Sequence, residues 1–191
     1  MANKKKRCRH CKKYGLVESG VKVPLGWFCA MSCVIEHGKK GAKATTEKRK
    51  KETLTKLKAE LKTTSQWLKE LQKLVNKYVR LRDISDGCIS CDKSSDWHGQ
   101  WHASHFYPRG RAASVRFNLW NIHKSCSICN DHLSGNLTEY KPRLVYKIGQ
   151  DRFNAIESKH RDVVSYDIPY IRKGIKVAKR AIKRLEKRLN N

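Results

Sequence analysis

CISC at residues 88–91, WHASHFYPRG at 101–110 and NLWNIHKSCSICNDH at 118–132 decide how this chain folds. Two Cys-x-x-Cys pairs, Cys88/Cys91 and Cys126/Cys129, bracket a central histidine, His105, and the second pair runs directly into Asn130. Thiols paired this closely are the signature of tetrahedral zinc sites. One zinc on all four would gather a strand ending at His105, a loop pinned by the Asn121 amide, and a helix with Asn130 in its first turn. Zinc clamping then brings His105 and Asn130, distant in sequence, around a second cation.

Outward from that core, Cys8/Cys11 and Cys29/Cys33 repeat the pairing, so eight cysteines supply two complete four-thiolate sites. Residues 1–38 form a small module in which Val21–Val23 and Trp27–Phe28 read as short strands between turns. It has little apolar core, so zinc would supply its folding energy. Such a module is either a contacting finger or a purely structural ribbon. Residues 39–83 read as a basic linker, GKKGAKATTEKRK, followed by helix from about Glu47 to Arg82. There Leu54, Leu57, Leu61, Leu68, Leu71, Val75 and Val79 recur at three- and four-residue steps. Thr63-Thr64-Ser65 offers an N-cap at which a separate helix could start. Residues 84–140 are the metal core. Residues 141–191 read as a helical basic region, with a short helix from Gln150 to Lys159 and an amphipathic one opening near Pro169.

The whole chain carries 43 Lys and Arg against 17 Asp and Glu in 191 residues, a formal charge of +26. Charge of this size steers polyanions toward a protein, nucleic acid first among them. No apolar run approaches the ~18 residues of a spanning helix, and no apolar stretch follows the basic N-terminus, so the chain is expected in the cytoplasm without a membrane partner. Arg109, Arg111, Arg116 and Lys124 cluster around His105 and are expected to contact phosphates. Trp97, Trp101 and Trp120 either stack on unpaired bases or pack around the hairpin, and packing is favoured.

Cutting a phosphodiester requires a base for water and a positive centre for the developing charge. A histidine that is neutral near pH 7 suits the first task and a divalent cation the second. His105 is the candidate base. His102 and Asn130 are candidate ligands of a catalytic Mg2+ or Mn2+, and His123 and His132 are further candidates for metal or phosphate contact.

With these residues in view, the segment resembles the HNH endonucleases, the ββα-metal nucleases, and more narrowly the phage NinG (Rap) recombination endonuclease family. Cys88-x-x-Cys91, Trp101–His105, Arg116-Phe117-Asn118 and Asn121-Ile-His123-Lys-x-Cys126-x-x-Cys129-Asn130 through Asn136 carry the resemblance. It implies that His105 activates water, that Asn130 binds the catalytic metal and that Asn121 supports the base. It also implies branched DNA such as Holliday junctions and D-loops as substrate, with phage or host recombination proteins as partners. One departure stands out: no Asp or Glu lies between Gly99 and His105, and His102 occupies the place where an acidic ligand is common. Imidazole ligation would shift preference from Mg2+ toward softer ions.

The expected fold class is therefore α+β: a small zinc-stabilised ββα-metal core flanked by long basic helices and an N-terminal zinc module. The expected function is a structure-specific endodeoxyribonuclease leaving 5′-phosphate and 3′-hydroxyl ends. The competing expectation is a non-catalytic zinc protein that binds nucleic acid as a regulator. Segment 47–82 offers a seam for a homodimer.

Overall fold

Thr63 marks the main division of the chain. A computed structural model describes residues 4–190, and its contacts separate one unit ending at Lys62 from another beginning at Thr63. Met1, Ala2 and Asn3 of the N-terminal module and Asn191 lie outside the described residues.

The first unit is two small hairpins and one long helix. β1 (Lys5–Arg7) pairs antiparallel with β2 (Tyr14–Leu16), and β3 (Val21–Val23) with β4 (Gly26–Phe28). Its core is small: Cys8, Trp27 and Phe28 are buried, with Cys11, Cys29, Cys33, Val23 and Val34 against them. Gly20 makes room for the indole, since a Cβ there would lie 2.3 Å from the Trp27 ring. The Trp27 indole N–H in turn donates to the Val17 carbonyl at 3.2 Å.

α1 (Met31–Glu60) follows at once and buries none of its residues. The expected linker at 39–50 is thus the middle of a helix. Gly38 and Gly41 meet nothing that a side chain would fill, and a glycine in an exposed helix costs only about 1 kcal/mol. Leu54 and Leu57 stay exposed on it, as does Leu61 just past its end. The seam read across 47–82 therefore breaks between the units, because the stripe of the next helix is consumed elsewhere.

That helix, α2 (Thr64–Arg82), begins with a capping box: the Thr63 hydroxyl accepts from the Gln66 N–H, and the Gln66 side chain accepts from Thr63 N–H. β5 (Trp101–His105) and β6 (Ile122–Cys126) form an antiparallel hairpin with His105 opposite Ile122 and Trp101 opposite Cys126. A single π-helical turn, Ile128–His132, leads to α3 (Leu137–Ile148). α4 (Gln150–Lys159) follows after Gly149, whose φ of 86° favours glycine at the joint. α5 (Ile168–Leu189) opens with Asp167 as cap and Pro169 in its first turn.

Two apolar layers hold this unit. Phe106, Val115, Tyr140, Leu144, Phe153 and Ile156 form a core between the hairpin loop and α3–α4. The stripe Trp67, Leu71, Val75 and Val79 of α2 packs with the stripe Ile171, Ile175, Ala178 and Ile182 of α5. Each fully buried aliphatic side chain contributes roughly 1.5–3 kcal/mol. Contacts rise together along the pair, Trp67 with Arg172 and Lys77 with Glu186, so the two helices run in the same direction. This packing takes up the Ile171, Ile175, Ala178 and Ile182 stripe of α5. Among the described residues no helix is long and apolar enough to cross a membrane.

Candidate metal and nucleic-acid site

All eight cysteines are free thiols, and they gather as expected into two groups of four. Within each group all four sulfurs lie within 4.8 Å of one another. The Cys91 and Cys126 sulfurs are 3.8 Å apart, and Cys29 lies 3.5 Å from both Cys11 and Cys33. Four sulfurs about 2.3 Å from a zinc at tetrahedral angles stand about 3.8 Å apart, so both groups fit this ion.

Backbone donors reinforce the second group. The N–H groups of Ser90 and Cys126 point at Cys88 Sγ (3.4 and 3.2 Å), and Cys129 N–H points at Cys126 Sγ (3.4 Å). Burial pushes the Cys88 thiol up, but these donors and the Ser125 hydroxyl outweigh it and bring it down to about 7, which favours the ligating thiolate. Trp97 and Trp101 pack edge to face beside this group, 5.2 Å apart, so these two tryptophans are part of its shell.

His105 sits at the end of β5, largely buried. Its Nε2 lies 3.1 Å from the Arg116 carbonyl and 3.5 Å from the Gln72 amide nitrogen. A carbonyl can only accept, so Nε2 carries the proton and donates to Arg116, leaving the lone pair on Nδ1. The Gln72 amide is then oriented by its other bonds: its oxygen accepts from Arg116 Nε (3.0 Å) and its nitrogen donates to Asn76 (2.8 Å). Burial lowers the His105 pKa to about 4, and the charges of Arg109 and Arg116 push the same way. The ring is neutral at pH 7.

A polar cavity of about 430 Å³ opens at this ring, bounded by His102, His105, Arg109 and Asn130 and by Asn76 and Arg80 from α2. His102 Nε2 is buried without a hydrogen-bond partner, 3.5 Å from an Asp131 carboxylate oxygen. The other Asp131 oxygen accepts from the Asn130 amide at 2.6 Å. An imidazole nitrogen and a carboxamide thus adjoin one cavity, and the Asp131 carboxylate outside its lining touches both, a donor set suited to a divalent cation.

A family model described as Bacteriophage Lambda NinG protein matches residues 1–188. The chain belongs to the NinG family. The protein called ninG of Escherichia phage lambda is 44% identical over 100 residues, 52% of this chain and 48% of that protein. Those of Escherichia phage 933W and Salmonella phage P22 are 43% and 42% identical over 100 and 101 residues, each matched across 49% of its length. The chain spans about half the length of these relatives. No solved structure matches it.

In this NinG-family chain the site residues expected from sequence fall into three sets. His102, His105, Arg109 and Asn130 adjoin the cavity. Asn121 is fully buried behind it: its oxygen accepts from Tyr107 N–H (2.8 Å), and its amide donates to the Tyr107 and Val115 carbonyls (both 3.1 Å). It holds the loop that follows His105 and touches the ring only through that loop.

The third set lies elsewhere. His123 is not at the cavity. Its Nε2 donates to the Trp120 carbonyl and its Nδ1 accepts from Arg82, each at 3.1 Å, so neither nitrogen is free for metal or phosphate. Lys124 is buried too, donating to the Ile84 carbonyl at 2.9 Å and lying over the Trp101 ring, and is not placed for phosphate. Arg116 is tied to Gln72, whereas Arg111 and His132 are exposed outside the cavity lining.

Gln72, Asn76, Arg80 and Asp131 are the site residues that sequence reasoning missed. The α2 residues carry no local signal, being polar positions in an amphipathic helix. Asp131 could have been suspected as the carboxylate nearest Asn130.

Behind the hairpin lies a buried charge cluster. Asp83 accepts two hydrogen bonds from Arg82 (2.6 and 2.8 Å) and one from the Lys124 N–H (3.1 Å), with Lys147 at 3.7 Å. Burial alone would raise the Asp83 carboxyl, but the Arg82 bonds and the Arg82 and Lys147 charges hold it well below the usual range. Arg82 also donates to the Leu119 and Ile122 carbonyls, which fixes β6 against the end of α2.

Proposed function

We propose that residues 63–190 form an HNH-like nuclease core that nicks DNA, with branched DNA such as Holliday junctions and D-loops as the preferred substrate. The supporting observation is the His105 ring: a neutral imidazole, its tautomer set by the Arg116 carbonyl, at a polar cavity shared with His102, Asn130 and Arg109. The antiparallel hairpin, the turn and α3, with a four-thiolate group at their base, supply the ββα arrangement.

His105 takes a proton at Nδ1 from the attacking water and passes it to solvent. With a pKa near 4 it accepts well only as the attack develops, and its Nε2 bond to Arg116 becomes stronger as the ring charges. Arg109 and Arg80 hold phosphate oxygens at the cavity rim. Asn121 and Gln72 keep the loop and the Arg116 carbonyl in place. His102, Asp131 and Asn130 would hold the divalent ion, which when bound supplies positive charge for the phosphoryl group and the leaving 3′ oxygen. Imidazole in this set favours Mn2+ over Mg2+. The two thiolate groups hold structural zinc.

The exposed lysines of α1 add phosphate contacts, and the exposed Leu54, Leu57 and Leu61 suit pairing with a second copy or with recombination proteins. The host-cell cytoplasm is the place of action.

His105→Ala tests this reading. Metal-dependent nicking of a four-way junction should fall about 100- to 10,000-fold while junction affinity changes little. Nicking at the wild-type rate by that variant would sink the mechanism. Absence of nicking by the zinc-loaded wild type with Mg2+ or Mn2+ would favour the non-catalytic regulator.

A further inference from the structure

Between α2 and α5 lies a second cavity, about 450 Å³, that the proposed chemistry does not use. Leu71, Val75 and Tyr78 of α2, Phe117 of the hairpin loop, and Tyr170 and Val177 of α5 form its walls. Gly174 keeps the helices close at its floor, since a Cβ there would meet Leu71 at 3.1 Å. An aromatic ladder leads into it: Phe117 and Tyr166 are 5.3 Å apart, and Tyr166 and Tyr170 are 5.4 Å apart with planes 31° from parallel. The ladder starts beside Arg116, whose guanidinium stands over Phe117 at 5.2 Å and whose carbonyl holds His105. It ends at Tyr170, which is 54% exposed. Lys173 stands at the rim, on a helix with nine Lys or Arg against one Glu.

We infer that this groove receives an unpaired nucleobase of branched DNA, stacked on Tyr170 with its phosphate toward Lys173. The inference rests on the nuclease reading for its substrate and adds the feature by which a branch is told from plain duplex. The flat π-face of a base, with its anionic phosphate alongside, matches apolar aromatic walls beside a cationic rim. The volume lies within the usual range for a small organic ligand. Paired DNA keeps its bases stacked inside and has nothing to offer such a groove, whereas a fork or junction exposes bases at little cost. A second copy of this chain is disfavoured there, because the nine Lys or Arg of one α5 would face those of the other across the groove. The cavities flank one helix, with Asn76 and Arg80 of α2 at the first and Val75 and Tyr78 at the second.

The test uses the full zinc-loaded chain without added Mg2+ or Mn2+, and DNA with 2-aminopurine at the unpaired position of a fork or at the matching paired position of a duplex. Fork binding should quench the fluorescence. Tyr170→Ala should weaken fork binding roughly 5- to 150-fold and abolish the quenching, while duplex affinity stays within about twofold. Tyr170→Trp, which keeps a stacking ring, should retain both signals and guards against misfolding.

Equal losses on fork and duplex, unchanged quenching in Tyr170→Ala, or loss in Tyr170→Trp would overturn the groove. A wild-type dimer in sedimentation that Tyr170→Ala dissolves would assign the groove to a second copy and overturn it too. The two readings fail separately. Base capture by a wild type that never nicks removes the nuclease alone, and undiminished fork nicking by Tyr170→Ala removes the groove alone.

Discussion

The two four-cysteine groups have the same composition and nearly the same sulfur geometry, yet the units around them are held by different forces. In the first unit the buried residues among those described are Cys8, Trp27 and Phe28, and the two short hairpins rest on these and on the partly buried cysteines and valines around them. In the second, the hairpin carrying the thiolates is braced by α2 through Arg82 and Asp83, by α3 through the Tyr140 hydroxyl on the Ser104 carbonyl (3.0 Å), and by two apolar layers. With zinc on both groups, the same metal chemistry would make the fold in one unit and trim it in the other. A structural zinc site contributes roughly 10–16 kcal/mol, more than the whole stability of a small module but only part of what holds a larger packed unit.

The sharpest way to break this comparison is to remove one thiol from each group. Cys29→Ser should abolish hydrogen-exchange protection across residues 5–28 while leaving the α2–α5 layer protected. Cys126→Ser should loosen residues 88–101 and lower the melting temperature, yet leave a cooperative transition for the second unit. If Cys126→Ser unfolds that unit outright, packing is not its main support. Next in size is Asp83→Ala, which leaves Arg82 buried without its partner and should cost the second unit about 3–5 kcal/mol in urea unfolding. A loss below ~1 kcal/mol would mean that the hairpin does not depend on this brace.

The smallest effect comes from pH. Burial holds His105 and His123 below their ordinary pKa, so the unfolded chain takes up protons before the native one does. Stability is therefore complete above about pH 6.5 and declines as pH falls toward 4, where the native His105 also titrates. That ring accounts for about 2–3 kcal/mol of the decline. His105→Gln should flatten the slope of unfolding free energy between pH 6.5 and 4, and an unchanged slope would show that the ring is solvated in the native state.

Much of the architecture was legible in the chain. The cysteine pairs specified both thiolate groups because four sulfurs at this spacing have one natural way to meet a tetrahedral ion. Thr63, the 150–159 helix, Pro169 and the α5 stripe followed from capping and period alone. The basic 38–50 stretch misled because Gly38 and Gly41 read as flexibility, whereas the flanking lysines, alanines and threonines sustain an exposed helix across them. His123 and Lys124 misled because proximity in sequence to a metal clamp does not say which groups a side chain meets: His123 found Arg82 and the Trp120 carbonyl, and Lys124 found the Ile84 carbonyl, all away from the cavity.

The sequence by itself determined the thiolate groups, the hairpin between them and the basic charge, since each of these is a matter of spacing or composition, and it put His105 near the middle of the clamp with His98, His102 and His123 also between the cysteine pairs. Only the tertiary structure decided which groups serve that histidine. Gln72 lies 33 positions before it, the Arg116 carbonyl is a backbone atom with no residue signature, and Asp131 meets His102 across the hairpin base. Contacts of this kind depend on how α2 docks on the strands. That docking is set by the sum of many apolar contacts along α2 and α5, which no short motif records.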